Sequence, residues 1–280
     1  MSTWLFWLPV LVAGLVAGGS SGLMGTYLVG GRIPLLGVCI AHAALAGAVL
    51  GALFGVPTSW LTVPALLVAC LCALGLGILS PDRIRLDANI LLGVAFSVSL
   101  GLAFLGIGLL SSWGRPDNEV RNLLWGSLAF CRWGDVVRIG AAAALTLLLL
   151  TVFGKELSAV MFSRGHAAAA GIHDTLVWTG FLVLAAIVLT VNFQTVGGLM
   201  IYSLMTNPAV GAFLLVRGHS RAALVSSLLG AFCGLGGFLL AACLDLPTGA
   251  TTVLLSAAVV AAAFGASAWR ARRSSQGLSG

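Results

Sequence analysis

Repetition limits what this chain can fold into more than any other feature: apolar runs of about 20 residues recur from end to end, separated by short connections. A hydrocarbon layer about 30 Å thick demands that length of a spanning helix. Charged residues make up 8% of the 280 positions and hydrophobic ones 60%, with a mean hydropathy of +1.10, more apolar surface than one soluble core can hide. The chain therefore reads as an all-α, polytopic membrane protein, a single transmembrane domain over residues 1–280.

About nine spans (eight to nine) are expected, near Trp4–Val29, Leu35–Phe54, Trp60–Leu79, Ile90–Leu110, Val136–Phe153, Leu176–Phe193, Val196–Val216, Ala222–Leu244 and Thr251–Trp269. The opening MSTWLFWLPVLVAG lacks a basic leader and runs straight into an apolar segment, so a retained first helix is expected rather than a cleaved signal peptide. AGGSSGLMG, from Ala17 to Gly25, offers small residues over which a neighbouring backbone can approach closely.

Orientation follows from the placement of Lys and Arg. Arg32, then Arg83 and Arg85, then Lys155 and Arg164, then Arg217 and Arg221, then a basic tail over 270–280 occupy every second connection, while GVPTS, NFQTV and DLPTG carry none. The basic connections and the C-terminus are thus expected in the cytoplasm and the N-terminus outside. The link from Arg115 to Arg138 mixes both charge signs and falls outside by strict alternation. Its NLLWGSLAFCRWGD reads either as an interfacial aromatic belt or as an element that docks or gates a partner. The inner link, about 154–174, is too polar to span; with Gly165 and Gly171 breaking its Ala-rich runs, it reads either as a short helix pair at the cytoplasmic face or as a plain solvated connection.

The net charge of +6 is spread through loops and the tail without aromatic interleaving, so it is a topology signal and not a nucleic-acid surface. Cys39, Cys70, Cys72, Cys131, Cys233 and Cys243 lie mostly within apolar runs and read as small buried residues without a structural disulfide. Gly154-Lys155-Glu156 lacks the remainder of a phosphate-binding loop, and no hydrolase motif occurs, so any ATPase belongs to another subunit.

Ionisable groups at membrane depth mark a pathway by default. His42 is the clear one; Asp245 ends the eighth span, and Asn192, Gln194, Tyr202 and Asn207 gather around the seventh. That seventh segment, with paired glycines and Pro208, reads either as a broken helix beside the pathway or as a kinked packing helix.

From GLMGTYLVGGRIPLLG through His42-Ala43-Ala44-Leu45, LLGVAFSVSLGLAFLGIGLL, LLWGSLAF, KELSAVMFSRGHAAAAGI, FQTVGGLMIYSLMTNPAVGA and DLPTGATTVLL, the chain resembles permease subunits of the ABC-type zinc, manganese and iron importers. The resemblance implies a multi-pass protein of the bacterial cytoplasmic (inner) membrane, without enzymatic activity of its own. It also implies a pore formed by two copies of the permease, or by two related subunits, with a homodimer expected here, driven by cytoplasmic ABC ATPase subunits and supplied by an external metal-binding protein. No cofactor is implied, a divalent metal ion being the cargo. The inner link would then be the segment seated on the ATPase, presenting Glu156, Arg164 and His166.

The family pattern in the second span is L-L-G-D-x-x-x-H-A, a carboxylate and an imidazole at i and i+4 on one helix face, able to hold a dication together. Here His42 matches the histidine, but Val38 stands at the aspartate. Ala46 replaces a common proline, Asn207 an apolar residue before Pro208, and the acidic residues of the coupling segment are replaced near Ser163 and Gly165. Three readings follow. A metal passes with His42, Cys39, Asn207 or backbone carbonyls in place of the carboxylate, Cys39 favouring softer ions. The cargo is a metal with its chelator. Or His42 is a packing histidine bonded to a neighbouring helix. An ATP-independent secondary transporter or channel, or a structural subunit, remain the contrasting classes.

Overall fold

In the computed structural model, the described residues are 3–79, 87–114, 128 and 131–276. Among them the chain forms ten α-helices and one 3-10 turn: α1 (Thr3–Gly30), α2 (Leu35–Leu53), the turn Thr58–Trp60, α3 (Thr62–Ile78), α4 (Ala88–Ser112), α5 (Trp133–Phe162), α6 (Arg164–Ala169), α7 (Asp174–Val196), α8 (Gly198–Leu215), α9 (His219–Leu244) and α10 (Thr248–Gln276). Eight of these are long and apolar enough to cross a membrane, and α8, with its apolar stretch Met200–Leu215, is a shorter ninth. At 18 residues α8 is about 27 Å long, close to the hydrocarbon thickness. Arg83, Arg85 and the greater part of the Arg115–Arg138 link, with its expected docking element, lie outside the described residues.

Helix α1 is the spine. It packs on α9, α8, α5 and α7, while α2 sits between α3 and α4 and touches α7. The α1–α9 seam is built from small residues one turn apart. A Cβ added at Gly18 would strike the Gly230 carbonyl, one at Gly22 the Ser226 carbonyl, and one at Gly14 would stand 3.0 Å from the Gly234 oxygen. In lipid, where apolar surface gives helices no reason to leave the acyl chains, such close backbone approach supplies dispersion contact and admits interhelical hydrogen bonds. Two are present: Ser226 Oγ donates to the Gly22 carbonyl at 2.6 Å and Ser227 Oγ to the Gly19 carbonyl at 3.1 Å.

Three boundaries differ from the sequence reading. NFQTV is helical, the last turn of α7, and a single residue, Gly197 at φ 97°, joins α7 to α8. The polar residues that look like a loop bond to other helices: Asn192 Nδ2 donates to Ser20 Oγ (3.1 Å) and Ser21 Oγ (3.0 Å) of α1, and Thr62 Oγ1 of α3 donates to Gln194 Oε1 (2.9 Å), while Asn192 Oδ1 is buried without a hydrogen-bond partner among the described residues. The break of the seventh segment therefore lies at Gly197, and Pro208 stays inside a continuous helix. Second, α5 runs nine residues past the expected end of its span, through Phe162; at 30 residues it is about 45 Å long and overshoots the hydrocarbon layer. Third, α10 carries Arg270 and Arg273 within the helix instead of in a tail, with Arg270 Nη1 donating to the Leu215 carbonyl at 2.8 Å.

That last bond joins two chain ends expected on the same side. So do Asn89 Nδ2 to the Arg32 carbonyl (3.1 Å) and the packing of the His219 ring against Gly30. The helix ends assigned to the cytoplasm by charge meet on one side of the bundle.

Candidate translocation and coupling site

Helix α2 is almost wholly enclosed. From Leu36 to Val49 every residue is buried except Val38 and His42. These two are four residues apart and share one face, so the helix presents a single strip of access, at the two places where the family pattern has its carboxylate and imidazole. His42 Nδ1 lies 2.8 Å from the Val38 carbonyl. A carbonyl only accepts, so Nδ1 carries the hydrogen and Nε2 of the neutral ring keeps its lone pair for a ligand. The ring meets Phe96 of α4 edge-on, with centroids 4.9 Å apart. The hydrogen bond expected of a packing histidine thus falls within its own helix and not on a neighbour.

The other two pathway candidates point elsewhere. Cys39 is fully buried, its Sγ 3.9 Å from Cys72 Sγ on α3. Asn207 Nδ2 donates to Ser256 Oγ of α10 at 2.9 Å. Among the described residues no group of three His, Cys, Asp or Glu side chains converges on a metal-sized space. In one chain, access to the middle of α2 belongs to His42 and Val38.

The inner link forms an elbow. Its break falls at Ser163, whose extended backbone (φ −163°, ψ 115°) ends α5 and caps α6; Gly165 lies inside α6. Ser163 Oγ accepts from the His166 N–H at 3.4 Å and lies 2.9 Å from His166 Nδ1. Gly171, at φ 81°, stops the helix in the left-handed region that glycine enters without strain. The expected pair of short helices is thus the projecting end of α5 and α6. Phe162, at its corner, is 88% exposed, and His166 is exposed as well. Glu156 is half-buried, and its Oε2 has no hydrogen-bond partner among the described residues.

Arg164 faces inward, its guanidinium carbon 5.1 Å from the centre of the Trp178 ring on α7. From there rings continue across the base of the bundle: Trp178 to Phe181 (6.0 Å), Phe181 to Tyr27 of α1 (6.0 Å), Tyr27 to His219 of α9 (4.6 Å) and His219 to Phe213 of α8 (6.2 Å). The sequence reading missed this series. Trp178 and Phe181 are one turn apart on one face, but nothing in their spacing names partners on α1 and α9. Between the elbow and the ends of α2, α3 and α4 on the side of the basic connections lies a cavity of about 460 Å3, bordered by Ile33, Leu36, Leu76, Leu92, Ser163 and Trp178.

Nine apolar helices among the described residues, one strip of access on α2 and a projecting basic elbow define a multi-pass membrane transport subunit. The chain belongs to the ABC 3 transport family, whose sequence profile matches residues 4–266. A manganese transport system membrane protein of Listeria innocua is 25% identical over 255 residues, 91% of this chain and 88% of that one. A chelated iron transport system membrane protein of Yersinia pestis is 26% identical over 247 residues, 88% of this chain and 80% of that one. The fold is shared with PsaBC from Streptococcus pneumoniae, solved in complex with a Fab, at a TM-score of 0.78 and 23% identity, over 92% of this chain and 91% of that chain.

Proposed function

We propose that this chain is the membrane-spanning permease of an ATP-driven importer of divalent metal ions, of the manganese, iron or zinc class. A homodimer of the chain would form the route, an external metal-binding protein would load it, and a cytoplasmic ABC ATPase would seat on the α5–α6 elbow. The observation that carries the reading is the strip of access at Val38 and His42 within the otherwise enclosed Leu36–Val49 stretch of α2. Relatives named for manganese and chelated iron transport support the cargo class. His42 is the ligand within this chain, through Nε2; Cys39 and Asn207, turned to α3 and α10, contribute only if the helices rearrange.

Val38 favours a second reading, a metal carried with its chelator. An apolar residue at the place of a carboxylate offers a bare dication no charge, and a chelated ion brings its own ligands. Restoring the carboxylate separates the two. If bare ions pass, Val38→Asp changes the order in which cells accumulate manganese, iron and zinc, measured as metal content, by severalfold. If chelates pass, uptake of the chelate falls. Unchanged rate and preference in both assays would mean that selection does not occur on this face of α2.

Coupling is expected to run through the rings at the base. Trp178→Ala removes the ring under Arg164 that joins α6 to α7, so ATP hydrolysis by the assembled transporter continues while uptake per ATP drops severalfold. Trp178→Phe keeps a ring and restores most of it. Equal uptake per ATP in wild type and Trp178→Ala would reduce these contacts to packing.

A further inference from the structure

We infer that Cys39 and Cys72 form a dithiolate site for a soft divalent ion of the zinc and cadmium type, separate from the His42 strip and reached from the cytoplasmic side. The two sulfurs face each other across the antiparallel α2–α3 contact at 3.9 Å. An ion bonded to both at the usual zinc–sulfur distance of about 2.3 Å would subtend an S–metal–S angle of about 116° there, close to tetrahedral. Both cysteines are free thiols. The pair suits a bridging ion as it stands.

Access comes from the cavity beside the elbow. Leu36, one turn before Cys39, and Leu76, one turn after Cys72, both border it, so the thiols lie one helical turn behind its wall. Cys39 is fully buried and Cys72 half-buried, so Cys72 is the more accessible thiol of the pair. His42 follows Cys39 by one turn, but its ring lies against Phe96 of α4, and no third His, Cys, Asp or Glu joins the pair among the described residues. Two thiolates therefore make up the side-chain ligand set. Binding is a proton exchange without redox change: one divalent ion displaces the hydrogens of both thiols, two metal–sulfur bonds form, and two protons leave to solvent, so affinity rises with pH.

An ion held there ties α2, which carries His42, to α3. Resting on the transport reading proposed above, this gives the permease a response to soft ions accumulating in the cytoplasm, with import slowing as the site fills.

The test is a titration of the purified, reduced full-length chain with Cd2+, read by thiolate-to-cadmium absorption in the ultraviolet and by the rate at which a maleimide labels its thiols. One Cd2+ per chain is expected, with at least tenfold slower labelling of the half-buried Cys72. Cys39→Ser and Cys72→Ser should each abolish the absorption, and Cys70→Ser and Cys243→Ser should retain it. Absorption that survives Cys39→Ser, or labelling in the unsubstituted chain that Cd2+ leaves unchanged, would overturn the site. Because binding is read without transport, loss of the site and loss of the transport reading are separate results. Cd2+ binding without slowed import would overturn only the regulatory consequence.

Discussion

Replacing His42 by alanine abolishes metal uptake, by tenfold or more, while the chain still reaches the membrane and binds its ATPase. The expectation rests on how little of α2 can touch a passing ion. Of the residues from Leu36 to Val49 only Val38 and His42 are accessible, and Val38 has no donor atom in its side chain. His42 has one, Nε2, because the Val38 carbonyl engages Nδ1 at 2.8 Å. Removing the ring costs the fold little: it leaves that carbonyl in its own helical bonding and opens space beside Phe96. Uptake and assembly should therefore separate, and they are measured as accumulated metal and as ATPase co-purifying with the permease. Uptake within twofold of wild type would remove His42 from the pathway.

Gly18→Leu has an equally large effect on the fold itself. A Cβ at Gly18 would meet the Gly230 carbonyl oxygen, with the carbonyl carbon at 2.9 Å, and neither atom can turn aside as a side chain can. The helices must part, losing the Ser226 and Ser227 hydrogen bonds to Gly22 and Gly19, which lie in the same seam. Hydrogen bonds between membrane helices contribute about 0.6–2 kcal/mol each, and overpacking costs about 1–3 kcal/mol. Both act against a net stability of only about 5–15 kcal/mol. The variant is expected to accumulate at a small fraction of the wild-type level, or to melt many degrees lower in detergent. Gly101→Leu, where no atom lies within 4 Å of the added Cβ, is the control and should accumulate normally. Equal melting of Gly18→Leu and wild type would mean that α1 and α9 do not hold the bundle together.

The sequence disclosed most of the architecture because lipid leaves few alternatives. Each apolar run must satisfy its own backbone, and the alternation of Lys and Arg sorts the connections into two sides. The small residues of Ala17–Gly25 likewise announced a close helix contact, though not that α9 makes it. What stayed hidden depends on partners far along the chain. Asn192 and Gln194 look like a loop until Ser20, Ser21 and Thr62, more than 130 residues earlier, take up their amides. The projection of α5 was hidden because Gly154, Lys155 and Glu156 mark a polar boundary, whereas a helix leaving the membrane need not stop there. At the site, His42 stood out in the sequence, and its spacing of four from Val38 needed only a continuous helix to put the two on one face. The Cys39–Cys72 contact had no signal, since residues 33 apart on two helices share no spacing rule.

The most direct measurement of the account is metal uptake into sealed vesicles that contain the purified chain, with and without its ATPase, with ATP supplied on the ATPase side and the metal-loaded binding protein on the opposite side. ATP-dependent accumulation of manganese, iron or zinc that requires both subunits, and that is lost in His42→Ala, is the predicted result. Accumulation by the chain alone, without ATPase or nucleotide, would contradict it and make the protein a secondary transporter or a channel.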